Sequence, residues 1–169
     1  MNELSILRVV YMELREPPVS TAQRVASMSI ALERLGRVEY LSLYRRVGEP
    51  VRWDQRLQMS DAELDALLSG DALAIYVLRD EHGDALGFCE FDLSASPEIE
   101  LKNFGLIPTA QGRGFGSALL IEALQNVWQS GTTRIWLHTD NWDHPAAVRL
   151  YERAGFEAYA VRDESSGPL

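Results

Sequence analysis

Cysteine is nearly absent, with Cys89 the single example among 169 residues. One cysteine can form no internal disulfide and cannot build a multi-cysteine zinc site. It sits in the strand-like run LGFCEFDL, where a small buried hydrophobe is the expected role ahead of an acyl-carrying nucleophile. Apolar runs of membrane-spanning length are also missing, and the first residues, MNELSILRVVYMELRE, hold no basic leader followed by an apolar block. These absences predict a cytoplasmic location. Histidine is scarce, at three residues, and none has carboxylates at ligand spacing, so no metal is expected. The G-x-S-x-G signature of a serine hydrolase does not occur. Repeats and low-complexity tracts are lacking too.

Positive charge is in deficit. A formal net charge of −9 repels phosphate backbones and anionic lipid, which disfavours nucleic acid and membrane partners and suits a cationic amine. The composition, 46% hydrophobic and 24% charged, is that of a folded globular chain. At this length one domain spanning residues 1–169 is the expectation.

Patterning divides the chain into elements. Leu4 to Leu14 interleaves β-branched and polar residues and stops at Pro17 and Pro18, as a first strand would. Met28 to Leu35 reads as a strand, while the longer stretch from Thr21 also fits a helix. Tyr40, Leu41, Tyr44 and Val47 recur at helical spacing until Gly48 and Pro50. Ser60 and Glu63 form a capping-box signature ahead of Leu64, Leu67 and Leu68, with Gly70 as the stop. Leu73 to Arg79 and Ala85 to Leu93 flank the turn Glu81-His82-Gly83-Asp84 as a hairpin, and Ile99 to Leu106 follows as another strand. A helix carrying Leu119 to Trp128 and ended by Gly131 comes next. Then come a strand from Arg134 to Thr139, a helix from Pro145 to Ala154, and a strand from Phe156. Antiparallel strands first and β-α-β-α-β later predict a mixed α+β architecture. Its sheet should be open, with a parallel pair near the glycine-rich turn. An exposed sheet edge in such a fold would support a homodimer.

That turn, Gln111-Gly112-Arg113-Gly114-Phe115-Gly116, leaves a strand and enters a helix. Successive amides and a helix dipole can converge there on one anion, such as a pyrophosphate, and a Cβ would hinder close approach. A P-loop needs Lys and then Ser or Thr after its last glycine, whereas Gly116 precedes Ser117 and Ala118. The dinucleotide pattern G-x-G-x-x-G lacks its third glycine from either start. A simple packing turn is the remaining alternative.

With Leu106-Ile107-Pro108 before the turn and Leu150-Tyr151 followed by Ala154-Gly155-Phe156 after it, the sequence resembles the GNAT superfamily of acetyl-CoA-dependent N-acetyltransferases. The likeness is strong from Glu98 to Phe156; earlier, only the order of elements is similar. The resemblance implies a mostly antiparallel, GNAT-like mixed sheet flanked by helices, with residues 1–93 on the acceptor side and 94–165 binding acetyl-CoA. It implies that the amides of Gln111, Gly112, Arg113, Gly114, Phe115, Gly116 and Ser117 cradle the coenzyme A pyrophosphate. Leu106 and Ile107 would run beside the pantetheine arm, and the Leu106 amide would meet the oxyanion. His144 stands where the family usually has Asn, so it is a candidate contact for coenzyme A, while Asp143 and Pro145 also suit a helix start.

A protonated amine must lose a proton before it attacks a thioester. The resemblance makes Glu100 the candidate for such a base, since it lies eleven residues before Gln111, where several family members place a strand glutamate; a solvent-facing strand glutamate is the alternative, and Glu98 is the substitute candidate. Tyr151 occupies the position of the acid that protonates the thiolate, although its helical stripe equally suits a core tyrosine. His138, at a strand end, is a further base candidate. Tyr40, Tyr44, Arg52, Trp53 and Arg56 are the expected acceptor wall for a small-molecule or peptide amine. A non-catalytic acyl-CoA sensor on the same fold is the competing reading.

Overall fold

The structure is a computed structural model that describes residues 6–19 and 25–165. In chain order it runs β1 (Ile6–Leu14), β2 (Ser29–Glu33), α1 (Arg37–Gly48), α2 (Asp61–Ser69), β3 (Leu73–Arg79), β4 (Ala85–Asp92), β5 (Glu98–Leu106), α3 (Phe115–Val127), β6 (Arg134–Asp140), α4 (Ala147–Ala154) and β7 (Glu157–Ser165). The stretch after Met28 is a strand, and its helical alternative from Thr21 falls partly outside the described residues, as does Leu4 of the expected first strand.

Local chemistry explains several boundaries. Ser60 accepts from the Glu63 amide at 3.2 Å while the Glu63 carboxylate accepts from the Ser60 amide at 2.8 Å, which closes the capping box that starts α2. Gly155 ends α4 in the left-handed conformation at φ 107°, where a Cβ would be penalised. The last helix begins at Ala147, two residues later than its sequence pattern suggests. The Asp143 carboxylate does not cap it, because Thr139 Oγ1 and the Asp140 amide already donate to that group.

All seven strands join one sheet, in the order β2-β3-β4-β5-β6-β1-β7. Every neighbouring pair is antiparallel except β5–β6, which are parallel and joined through α3. The strand that begins the chain therefore lies between the two that end it. Val9 pairs with Asp140 on one side and Arg162 on the other. Side chains alternate across β4, so Phe88 and Glu90 meet Tyr40 of α1, while Cys89 and Phe91 face the side covered by α3. β3 is buried through its whole middle, from Ala74 to Leu78, and packs against α3. By contrast, β7 exposes Tyr159 and Val161.

Two irregularities in β5 shape the molecule. First, its parallel pairing to β6 covers only Glu98–Arg134, Ile99–Ile135 and Glu100–Trp136. Beyond those pairs β5 stays with β4 as far as Leu106, whereas β6 stays with β1 as far as Asp140, so the strands part. Second, the β4–β5 register shifts, with Glu90 opposite Asn103 but Phe91 opposite Leu101, leaving Lys102 as an extra residue.

Candidate active site

The gap between β5 and β6 is lined by backbone on the β5 side. Ile107 donates its amide to Leu86 O at 2.8 Å, toward β4. Alternation in an antiparallel ladder then turns the Leu106 amide to the opposite edge, into the gap. The Leu106 carbonyl on that edge accepts from Gln111 Nε2 at 3.3 Å, so Gln111 ties the glycine-rich turn to the strand before it. The side chains of Leu106 and Ile107 are core, and what they offer the gap is backbone.

The turn itself delivers α3. Gly114 is the N-cap residue at φ 83°, ψ 0°, and no side chain caps the helix. The amides of Phe115, Gly116 and Ser117 therefore open the first turn, where intrahelical acceptors do not reach them. Gly112 is also left-handed, at φ 77°, and a Cβ added at Gly112 or Gly114 would meet no atom of the chain within 4 Å. The turn thus presents an open backbone cradle at a positive helix end, which fits a pyrophosphate. Phe115 is buried, and a Cβ at Gly116 would come within 3.3 Å of Leu150 and 3.8 Å of Phe104, so Gly116 lets α3 lie against α4 and β5. Arg113 is exposed and lines a shallow hollow with Thr109, Asp80, Glu81 and His82.

Tyr151 lies on the α3 side of β5, its ring 5.9 Å from that of Phe104 and 5.8 Å from that of Phe156. Burial, followed by the charge of Asp143, pushes its phenol well above the ordinary value, so it holds its proton at neutral pH. Its hydroxyl makes no hydrogen bond to another described residue. Cys89 lies on the same side and is wholly buried, and desolvation raises its thiol as well, which agrees with a packing role. His144 stands at the start of α4, where Nδ1 accepts from the Ala146 amide at 3.1 Å.

Glu100 lies at the last parallel pair, where the strands separate, with 14% of its side chain exposed. Lys102 Nζ is 3.5 Å from Oε2 and His138 Nε2 is 3.9 Å from Oε1. His138 reaches solvent and lies against the Tyr11 ring. Glu98 is more exposed and lies toward Arg134, at 3.9 Å.

The expected acceptor wall divides. Tyr40 and Tyr44 are buried and stacked at 5.9 Å, so they belong to the core and not to a wall. Arg52 and Trp53 instead reach across to the loop after β6. The Arg52 guanidinium lies 5.2 Å over the Trp142 ring, and Trp53 Nε1 donates to Asp143 Oδ1 at 3.4 Å. Arg56 turns inward to Glu90, with Nη2 2.5 Å from Oε2, while Tyr40 Oη and Asn103 Nδ2 also donate to that carboxylate. Sequence reasoning missed Glu90 and Asn103. The available signal was a lone glutamate between Phe88 and Phe91 in an otherwise apolar strand, a pattern that demands a buried partner.

The parallel pair parts and is followed at once by an uncapped, glycine-rich helix start, so a free strand edge runs directly into open helix amides. The chain belongs to the acetyltransferase (GNAT) family, whose model matches residues 38–156. Among curated relatives it is 34% identical to the mycothiol acetyltransferase of Thermomonospora curvata over 84 residues, 50% of this chain and 28% of that protein. It is 32% identical to that of Renibacterium salmoninarum over 107 residues, 59% of this chain and 31% of that protein. The aligned part thus spans less than a third of these relatives. Similar folds include a GCN5-related N-acetyltransferase from Sphaerobacter thermophilus, with TM-score 0.66, 21% identity, and coverage of 94% of this chain and 50% of that one. A tandem GNAT protein from the clavulanic acid biosynthesis pathway gives TM-score 0.67 at 16% identity, covering 99% of this chain and 55% of that one. Among the described residues no helix is long and apolar enough to cross a membrane.

Proposed function

We propose that this chain is an N-acetyltransferase that moves the acetyl group of acetyl-CoA to a primary amine by direct transfer. The observation that carries the reading is continuity: the free edge of β5 at Leu106 runs through Gln111 straight into the open amides of Gly114 to Ser117. One extended ligand can therefore meet a strand edge and a helix N-terminus in succession. Residues 94–165 would hold acetyl-CoA, and residues 1–93 would shape most of the acceptor side. Arg113 adds charge beside the cradle, and His144 lies at the α4 start where a ligand passing between the helices would meet it.

In the reaction, Glu100 takes a proton from the ammonium and the freed nitrogen pair attacks the thioester carbon. The Leu106 amide donates to the oxygen as it gains charge. When the C–S bond breaks, Tyr151 gives its phenolic proton to the sulfur, the nitrogen sheds its second proton, which returns through water to the Tyr151 oxygen, and Glu100 passes the first proton to solvent; burial keeps the phenol protonated between turnovers at neutral pH. Proton loss and gain thus occur on opposite faces of β5.

The test is thiol release from acetyl-CoA with ethanolamine, spermidine, L-lysine, D-glucosamine and a short peptide with a free amino terminus, alongside calorimetry with coenzyme A. Amine-dependent release is expected. Coenzyme A binding without release on any amine would leave an acyl-CoA-binding module, and no binding would remove the reading altogether.

A further inference from the structure

We propose that Asn103 seats the acceptor amine beside Glu100 through its side-chain carbonyl oxygen, and that the buried Arg56–Glu90–Tyr40 set serves to aim it. The proposal rests on the acetyltransferase reading above.

The first support is strand geometry. In a regular strand, residues three apart point to opposite faces, which would place Asn103 away from Glu100. The bulge at Lys102 reverses this. Glu90 opposes Asn103 and Asp92 opposes Glu100, and residues 90 and 92 share a face, so Glu100 and Asn103 share it too. Asn103 also lies beyond the last parallel pair, on the length of β5 that β6 has left, and it is half-buried.

The second support is that only one orientation of the amide is possible. Glu90 is fully buried and receives Arg56 Nη2 at 2.5 Å and the Tyr40 hydroxyl, so it is an acceptor. The Asn103 atom 2.9 Å from Glu90 Oε2 must then be the NH2 group, since a carbonyl facing a carboxylate would be repelled. That leaves Oδ1 as a fixed acceptor, and it makes no hydrogen bond to a described residue. Arg56 is braced in turn, with Nε 3.3 Å from the Tyr40 oxygen.

The third support is chemical. A primary ammonium that yields one proton to Glu100 retains two N–H bonds and gains a lone pair. A carbonyl accepting one of those N–H bonds fixes the direction of the pair, which is what attack on a planar thioester requires. A buried ionic set costs desolvation energy that well-packed apolar side chains would avoid, so its presence calls for a purpose beyond stability.

The experiment compares wild type with Asn103→Leu and Asn103→Ala. Amine-dependent thiol release is measured with the five amines above, amine-independent hydrolysis of acetyl-CoA with no amine added, and coenzyme A affinity by calorimetry. Loss of one oriented hydrogen bond predicts a fall of roughly 10- to 100-fold in kcat/KM for the amine. Hydrolysis and coenzyme A affinity should stay within about twofold, a split that general loosening of the fold would not produce. If wild type acetylates an amine and both variants match it, the role of Asn103 is overturned while the enzyme reading stands. If wild type binds coenzyme A but acetylates no amine, both fall together. If hydrolysis and amine transfer drop equally in both variants, Asn103 is structural and the proposal is overturned.

Discussion

Arg56 Nη2 and Glu90 Oε2 lie 2.5 Å apart, with Glu90 fully buried and 13% of the Arg56 side chain exposed, so the carboxylate end of the ion pair is enclosed between α1 and the sheet. Removing either partner leaves a buried charge uncompensated. Arg56→Ala and Glu90→Ala should each cost about 3–5 kcal/mol in urea unfolding, whereas an Arg56→Met, Glu90→Leu double substitution should cost less than the two single losses added together. Additive losses would show that the two groups are not coupled.

Tyr151 is buried among Phe104 and Phe156, yet its hydroxyl bonds to no described residue. Deleting the oxygen should leave packing and thermal stability nearly unchanged. Tyr151→Phe is expected to lower turnover on the order of 10²-fold with coenzyme A affinity preserved. Unchanged turnover would move the acid to another group.

Gly114 holds φ 83° at the start of α3, a conformation that a β-branched residue adopts only under strain. Gly114→Val should destabilise the fold by about 1–3 kcal/mol and sharply weaken coenzyme A binding, since the added side chain projects into the open cradle. Calorimetry on Gly114→Ala and Gly114→Val separates the effects of backbone strain and side-chain bulk. Normal affinity in both would remove the turn from the ligand path.

Glu63 accepts from the Ser60 amide, and that hydrogen bond holds its carboxyl below the ordinary value. A depressed folded pKa contributes stability that is present above the unfolded pKa and lost as pH falls through the folded one. Wild type should therefore melt above Glu63→Ala near neutral pH, and the difference should shrink in acid. A difference that is constant from pH 7 to pH 3 would show that the carboxylate plays no part in the cap.

Much of the architecture was legible because it is written in local pattern. The Ser60–Glu63 box, the hairpin around Gly83 and the strand-turn-helix from Glu98 to Val127 each depend on residues close in the chain. The strand edge, turn and helix start proposed to hold the cofactor were readable as local structure for the same reason, since they occupy consecutive residues. The acceptor side was not. Tyr40 and Tyr44 have the spacing of a wall as well as of a core, and only packing against Phe88 and Trp53 decides for the core.

The glycine-rich turn, its Leu106-Ile107-Pro108 approach and the Leu150-Tyr151 pair were set by sequence alone, because short-range backbone chemistry needs no distant partner. Three features were decided only in the folded chain. The placement of β1 between β6 and β7 comes from pairing across more than a hundred residues, which no local period encodes. The parting of β5 from β6 after Glu100 depends on the neighbour each strand keeps. The union of Tyr40, Arg56, Glu90 and Asn103 follows because a charge buried in β4 is stable only where the fold brings donors to it from α1, the segment after it and the neighbouring strand.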